Sequence, residues 1–386
     1  MSRDPEARCY GVVVHSEHEH EHMEAALALA GQGRRSAHPN PLVGALVVAD
    51  GEVVGSGFHR GPGTPHAEVV ALDEAGDRAR GATLYVNLEP CCHQGLTPPC
   101  TERIIAEGVG RVVAAMRDPN PEVDGKGFAR LREAGVAVSE AAPDLSHRAE
   151  ALNEAFTKYV RSGLPFVTFK AAVSLDGKVA AAGGDARWIS SSESRRRVHE
   201  MRAAADAVMV GAGTVRRDDP RLTVRDAAGD DPVRVVISRR GEIPLEAALV
   251  AGDDGPQTIV VAESVEEGQE AALRERGVEV IETGEAGREA GLRALAQRGL
   301  LDILCEGGPS LAGALVAAGL VDRACLFVAP VLVGRGAPEL LALPAVGSVS
   351  EAWRLQSPRW EIVGPDAMVT GTLARPGLVA DHEAKE

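Results

Sequence analysis

The chain has 386 residues, a formal net charge of −15 and 45% hydrophobic residues. Its length predicts two domains, or three, with enough buried core to need no disulfide support. The negative charge argues against broad binding to a phosphate backbone, and no apolar run reaches the roughly 18 residues of a membrane span.

The six cysteines lack the density and spacing of a secreted disulfide scaffold, so a reducing cytoplasm is expected. No basic segment followed by a long apolar core opens the sequence, so no secretory leader is expected.

In chain order, "HSEHEHEH" at residues 15–22 reads as a solvated arm; a histidine-rich metal tract is the sharper alternative. "MEAALALAGQG" reads as a short helix ended by glycine. "LVGALVVADGEVVGSGF" reads as two strands joined at Asp50-Gly51. A helix "AEVVALDEA", a strand "ATLYVNL", a short helix from about Thr101 and a strand "RVVAAM" follow. "GFARLREAG" and "VAVSE" add a helix and a strand. A helix from His147 to Val160 leads to a boundary near Gly163.

The second half opens with a strand "PFVTFKAAV" and a helix over Ser192–Ala204. Strands "AVMVG", "VRVVIS", "QTIVVA" and "DILCEG" follow, with helices near 266–276 and 288–297. Helix and strand alternation in both halves predicts two layered α/β domains.

"PHAEVVAL" places His66 and Glu68 at a helix start, and "NLEPCCHQGLTPPC" supplies Cys91 and Cys100 after the next strand. One imidazole and two thiolates are a fitting zinc donor set, and three protein ligands leave a position open for water, as in catalytic sites. Cys100 beside a helix start suits a thiolate. Glu68, beside the metal and not bound to it, is placed to shuttle a proton. This is the zinc nucleobase deaminase order, except that eight residues separate the cysteines where that signature has two.

"HPNPLVG", "HAE" and "NLEPCCHQGLTPPC", with "PFVTFKAAVSLDGKVA", "WIS", "RAAADAVMVGAGTVRRDDPRLTVR" and "CEGGPSL", resemble the bifunctional riboflavin-biosynthesis deaminase/reductase family, RibD or RibG. The resemblance runs from about Met23 to about Gly336. It implies a cytidine-deaminase-like α/β/α layer domain over residues 23–163 and a dihydrofolate-reductase-like α/β domain over 164–375. Residues 1–22 are then a disordered arm and 376–386 a polar tail. The first domain would deaminate a phosphoribosylated diaminopyrimidinone with zinc, and the second would reduce the ribose of the product to ribityl with NADPH.

The same resemblance marks Asn40 and His59 as substrate contacts of the deaminase half. In the reductase half it marks Ala172, Trp188, Thr214, Asp218, Ser238 and Gly308, Pro309, Ser310, Leu311, Ala312, Gly313 and Ala314 as cofactor contacts. Arg202, Leu222, Arg225 and Glu306 are marked for substrate. No Gly-x-Gly-x-x-Gly follows a strand, so the phosphates are expected at the helix start after Gly307-Gly308. Two family features are missing: Leu96 stands where a cation often precedes "TPPC", which leaves Arg60 or Arg103 to meet phosphate, and Ala186 stands where a serine often precedes the tryptophan.

The expected partners are small phosphorylated pyrimidines and further copies of the chain, with neither nucleic acid nor membrane. A rival reading is a nucleobase or tRNA deaminase with a non-catalytic second domain; a scaffold with a structural zinc site is another. The uncoordinated Glu68 argues against the scaffold.

Overall fold

Two compact α/β units make up the chain in the computed structural model, which describes residues 17–251 and 255–374. The first unit ends at Thr157 and the second begins at Lys158, within the helix Glu154–Ser162 and slightly before the boundary expected at Gly163.

Among the described residues, the first unit holds five strands: β1 (Gly44–Ala49), β2 (Glu52–Phe58), β3 (Thr83–Val86), β4 (Arg111–Ala114) and β5 (Ala137–Glu140). Their order across the sheet is β2-β1-β3-β4-β5. β1 and β2 form the expected hairpin, and Asp50 and Gly51 both take positive φ, 53° and 81°. A two-residue turn that follows strand twist requires this. β3, β4 and β5 run parallel, connected by the helices Cys100–Ala106 and Lys126–Glu133.

Consecutive side chains point to opposite faces of the sheet. Leu46, Val48, Tyr85 and Val113 pack against Met23, Leu27, Leu145 and Ala149. Val47, Leu84, Val86 and Val112 pack against Leu72, Ile104, Phe128 and Leu131. The sheet is therefore the middle of three layers. Each fully buried leucine contributes about 1.5–3 kcal/mol relative to exposure.

Two glycines set the position of the helix Ala67–Ala75. A Cβ on Gly55 would meet the Ala71 carbonyl oxygen at 2.1 Å, and one on Gly57 would meet that of Ala67 at 2.7 Å. The helix thus lies directly on β2, and its first turn carries His66 and Glu68 to the sheet's edge.

Part of the expected disordered arm is helical. The helix Glu17–Gly31 includes residues 17–22, and residues 1–16 lie outside the described residues. The Glu/His alternation hid this helix because no apolar residue marks its start. Polar contacts hold it instead: Arg111 pairs with Glu19, and the His22 ring lies 5.1 Å from that of Tyr85. The single helix expected over 147–160 is two, Pro143–Leu152 and Glu154–Ser162. They meet at buried Asn153, whose amide bonds both the N–H and the C=O of Leu42, at 2.8 and 3.0 Å.

The second unit's strands are β6 (Phe166–Ser174), β7 (Ala207–Gly211), β8 (Val233–Ser238), β9 (Thr258–Ala262), β10 (Glu279–Glu282), β11 (Asp302–Cys305), β12 (Arg323–Ala329), β13 (Arg354–Val363) and β14 (Asp366–Ala374). They form one sheet in the order β10-β9-β8-β7-β11-β6-β12-β14-β13. Pairing is parallel from β10 to β12 and antiparallel at β12–β14 and β14–β13. β10, β12 and the β13–β14 hairpin were not among the expected strands. Both faces are again covered, Met209, Val235 and Ile303 packing on Leu292 and Leu315, and Val208, Val236 and Leu304 on Val215 and Leu273. The polar tail expected at 376–386 lies outside the described residues.

Candidate active sites

In the first unit His66 precedes the helix Ala67–Ala75, Cys91 follows β3, and Cys100 opens the next helix. One donor atom from each lies within 4.8 Å of the other two. His66 Nδ1 is 3.2 Å from Cys100 Sγ and 3.5 Å from Cys91 Sγ. The eight-residue loop does return: the Cys100 N–H donates to Cys91 Sγ at 3.3 Å and the Thr101 N–H to the Cys91 carbonyl at 3.2 Å. Cys91 is drawn toward thiolate, its pKa lowered to about 4, mainly because the Cys100 thiol donates to it. The same contact, with burial, pushes Cys100 up. Two sulfurs and an imidazole nitrogen facing one another leave the place a bound cation takes in such sites.

Glu68 is 3% exposed, and its Oε2 has no hydrogen-bond partner. Burial, then the Cys91 charge, raises its pKa to about 6. An orphaned carboxylate oxygen beside two thiols and an imidazole fits a catalytic zinc centre with Glu68 outside the ligand set.

His66, Glu68 and Cys91 line a cavity of about 210 Å³ that also includes Asn40, His59, Thr97, Asp118 and Asn120. Asn40 Nδ2 is 2.9 Å from His59 Nε2, and His59 Nδ1 is 3.3 Å from the Pro65 carbonyl. Nδ1–H therefore donates to Pro65, and Nε2 accepts from Asn40. Burial keeps the His59 pKa lowered.

In the second unit, functional side chains gather at the C-terminal ends of the parallel strands, where open α/β sheets bind ligands. A cavity of about 870 Å³ is lined by Ala172, Trp188, Thr214, Asp218, Gly308 and Pro309, and by Arg202, Arg225 and Glu306. Glu306, just past β11, accepts from Arg202 Nε at 2.6 Å and Nη2 at 3.1 Å, and from Lys170 Nζ at 3.1 Å. Burial alone would raise its pKa; the charges of Lys170 and Arg202 overcome this and hold it well below the usual carboxylate range. At the cavity mouth Arg195 lies 4.4 Å from the ring centre of Trp188, which is 70% exposed.

A second cavity, about 620 Å³, is lined by Ser238, Ser310 and Leu311 together with Arg216, Arg239, Arg240 and Arg288. The side chains of Arg239, Arg240 and Arg288 make no ion pair among the described residues. Free guanidinium groups beside the helix start at Pro309 fit a phosphate-bearing dinucleotide.

Two family models match the chain in order. The cytidine and deoxycytidylate deaminase zinc-binding region covers residues 16–116, and the RibD C-terminal domain covers 165–369. The riboflavin biosynthesis protein RibD of Synechocystis sp. (strain ATCC 27184 / PCC 6803 / Kazusa) is 42% identical, over 87% of this chain and 91% of that protein. The solved structure of Acinetobacter baumannii RibD, form 1, matches with a TM-score of 0.82 at 36% identity, over 93% of this chain and 99% of that one. The chain belongs to the RibD family. A Thermotoga maritima structure named diaminohydroxyphosphoribosylaminopyrimidine deaminase/5-amino-6-(5-phosphoribosylamino)uracil reductase matches at 0.79 and 36%, over 92% and 98%.

As a RibD protein the chain is a bifunctional riboflavin-biosynthesis enzyme, with a zinc-binding deaminase domain and an NADPH-dependent reductase domain. The fold expectation is met in both halves. A nucleobase or tRNA deaminase with an idle second domain is not favoured, because the second domain has its own family match and cavities.

Several expected residues sit away from the cavities. The Leu222 side chain is 2% exposed and packs with Val208 and Val236, at φ 56°, which leaves only its backbone for a ligand. Ala312, Gly313 and Ala314 lie in the helix Pro309–Ala318 beyond the cavity-lining turn, and Ala312 packs with Leu315 in the core. Arg202 is bound to Glu306 and to the Thr223 carbonyl at 3.0 Å, so Arg225 is the freer cation. Arg103 bonds Asp73 and Glu107, and Arg60 lies over the Phe58 ring at 5.5 Å; neither lines the deaminase cavity. Leu96 does line it, 87% exposed.

The sequence reading missed Thr97, Asp118 and His199. Thr97 Oγ1 lies 3.1 Å from His66 Nε2. Asp118 has its pKa raised to about 6, first by burial. His199 lines the reductase cavity, and its Nδ1 accepts from the Arg225 N–H at 3.3 Å. Only "TPPC" carried a signal for one of them.

Proposed function

We propose that the first unit hydrolyses an amino group from 2,5-diamino-6-(5-phosphoribosylamino)pyrimidin-4(3H)-one. The second then reduces the ribosyl group of 5-amino-6-(5-phosphoribosylamino)uracil to ribityl with NADPH. The observation that carries this reading is the buried Glu68, whose Oε2 has no hydrogen-bond partner, beside the His66–Cys91–Cys100 cluster, on one chain with an arginine-lined cavity in the second unit.

His66, Cys91 and Cys100 hold the zinc. Zinc bound there supplies the Lewis acidity that brings proton loss from water near neutral pH. Glu68 takes that proton at Oε2 and returns it to the departing amine. Asn40 and His59 line the same cavity, the His59 ring 5.2 Å from that of His66, and their mutual hydrogen bond fixes which polar atoms face the pyrimidine.

In the second unit NADPH supplies the hydride. Ala172, Trp188, Thr214, Asp218, Gly308 and Pro309, which line the larger cavity, and Ser238, Ser310 and Leu311, which line the second, would hold it. Ala312 to Ala314 act through the helix they extend. Arg202 and Lys170 hold Glu306 charged and fixed for the substrate's hydroxyl groups. Arg225 meets the substrate phosphate, with the Leu222 backbone shaping that turn.

We further propose a cytoplasmic location. The five cysteines among the described residues form no disulfide, in keeping with a reducing compartment. A homo-oligomer is supported by β13: it is the sheet's outer strand and exposes Trp360 and Ile362 by 68% and 76%, an edge suited to pairing with a second copy.

The test is to assay amine release and NADPH oxidation separately in Glu68→Gln and Arg225→Ala. Glu68→Gln should lose amine release and still reduce the pre-deaminated substrate. Arg225→Ala should raise KM for reduction and leave amine release intact. Loss of both activities in one folded variant would overturn the two-site reading.

A further inference from the structure

The long loop between the two cysteines does more than bring Cys100 back. His66 has two ring nitrogens, and the structure gives each a partner on the same short stretch of chain. Nδ1 faces the sulfurs, 3.2 Å from Cys100 Sγ. Nε2 lies 3.1 Å from Thr97 Oγ1. Thr97 and Cys100 are separated only by Pro98 and Pro99, whose rings fix φ and stiffen the spacing between them. The Gly95 N–H donates to the Thr97 carbonyl at 3.2 Å and so closes a turn on the other side of Thr97. The Cys100 end is tied by its N–H to Cys91 Sγ.

We infer that Thr97 is a positioning residue for the metal site: Thr97 and Cys100 clamp the His66 imidazole from both nitrogens. The inference rests on His66, Cys91 and Cys100 being the zinc ligands. A neutral imidazole that gives Nδ1 to a metal carries its proton on Nε2. Thr97 Oγ1 is placed to accept that proton. It thereby selects the tautomer and blocks the ring flip that would turn Nε2 toward the sulfurs. Outer partners of this kind orient the ligand and raise its basicity. The clamp also gives the eight-residue spacing a use, since the loop brings Thr97 to Nε2 while Cys100 reaches Nδ1.

The test compares Thr97→Val, which keeps the shape and removes the hydroxyl, with Thr97→Ser, which keeps the hydroxyl. Zinc transfer to a chromophoric chelator measures affinity, and the visible spectrum of the cobalt-substituted protein reports the ligand field. Limited proteolysis, read from fragments of the first unit, confirms that this unit is folded in each variant. Thr97→Val should bind zinc about 10–100-fold more weakly with a shifted cobalt spectrum. Thr97→Ser should restore both. Parent-like zinc affinity in Thr97→Val overturns the clamp, as does equal weakening in Val and Ser, which would make the loop's packing the cause. His66→Ala serves as the separate control: if it retains zinc, the ligand assignment fails, irrespective of Thr97.

Discussion

Glu306→Gln removes one negative charge from between two cations and leaves the shape almost unchanged. Side-chain exposure is 9% for Glu306, 12% for Arg202 and 16% for Lys170, so water compensates the orphaned cations poorly. Breaking a buried ion pair by neutralising one partner costs about 3–5 kcal/mol. The open cavity beside the cluster places the expected loss toward the lower end, about 3 kcal/mol. The assay is urea unfolding followed by tryptophan fluorescence. Trp188, Trp353 and Trp360 are the chain's three tryptophans and all lie in the second unit, so the signal reports that unit alone. The pH dependence provides a second check. The folded pKa of Glu306 is depressed from its ordinary 4.5, so its stabilisation is complete above that value and is lost as pH falls toward the folded pKa. The gap between parent and variant should be constant from pH 8 to about 6 and shrink below about 5. A variant as stable as the parent at pH 7 refutes the argument that this cluster is a net stabilising charge network.

The parent protein should hold about one zinc per chain, and His66→Ala or Cys100→Ala should lose it by metal analysis. Glu68→Gln should keep its zinc while deamination falls by about 10²–10⁴-fold or more. Asp118→Asn should stabilise the first unit above pH 6. Its folded pKa of about 6 lies above the ordinary 3.8, so the parent loses stability as pH rises through that window. A shift of two units bounds the gain at about 3 kcal/mol. Calorimetric scans should show the gain disappearing below about pH 4.

Much of the site was legible because its chemistry is concentrated in short motifs. His66, Glu68, Cys91 and Cys100 fall on a helix start, a strand end and a second helix start, and local patterns mark all three. Contacts between distant segments were not legible. Thr97 was hidden because its role depends on a loop folding back to His66. Asp118 follows β4 with no motif of its own, and only burial makes it unusual. Arg202 reads from sequence as a phosphate ligand, but a partner 104 positions away, Glu306, occupies it. The helix over residues 17–22 was missed because its support is an ion pair and a ring contact, not an apolar stripe. β13 escaped because an outer strand exposed along most of its length lacks the alternation that marks a half-buried one.

The central claim is that one chain performs two consecutive reactions at two separate sites. Mass spectrometry of the diaminopyrimidinone substrate incubated with purified protein, with and without NADPH, tests it most directly. Without NADPH, the substrate should exchange an amino group for oxygen and go no further. With NADPH, the same product should then gain two hydrogens. Gain of hydrogen without prior loss of the amino group, or no deamination by zinc-replete protein, would contradict the account.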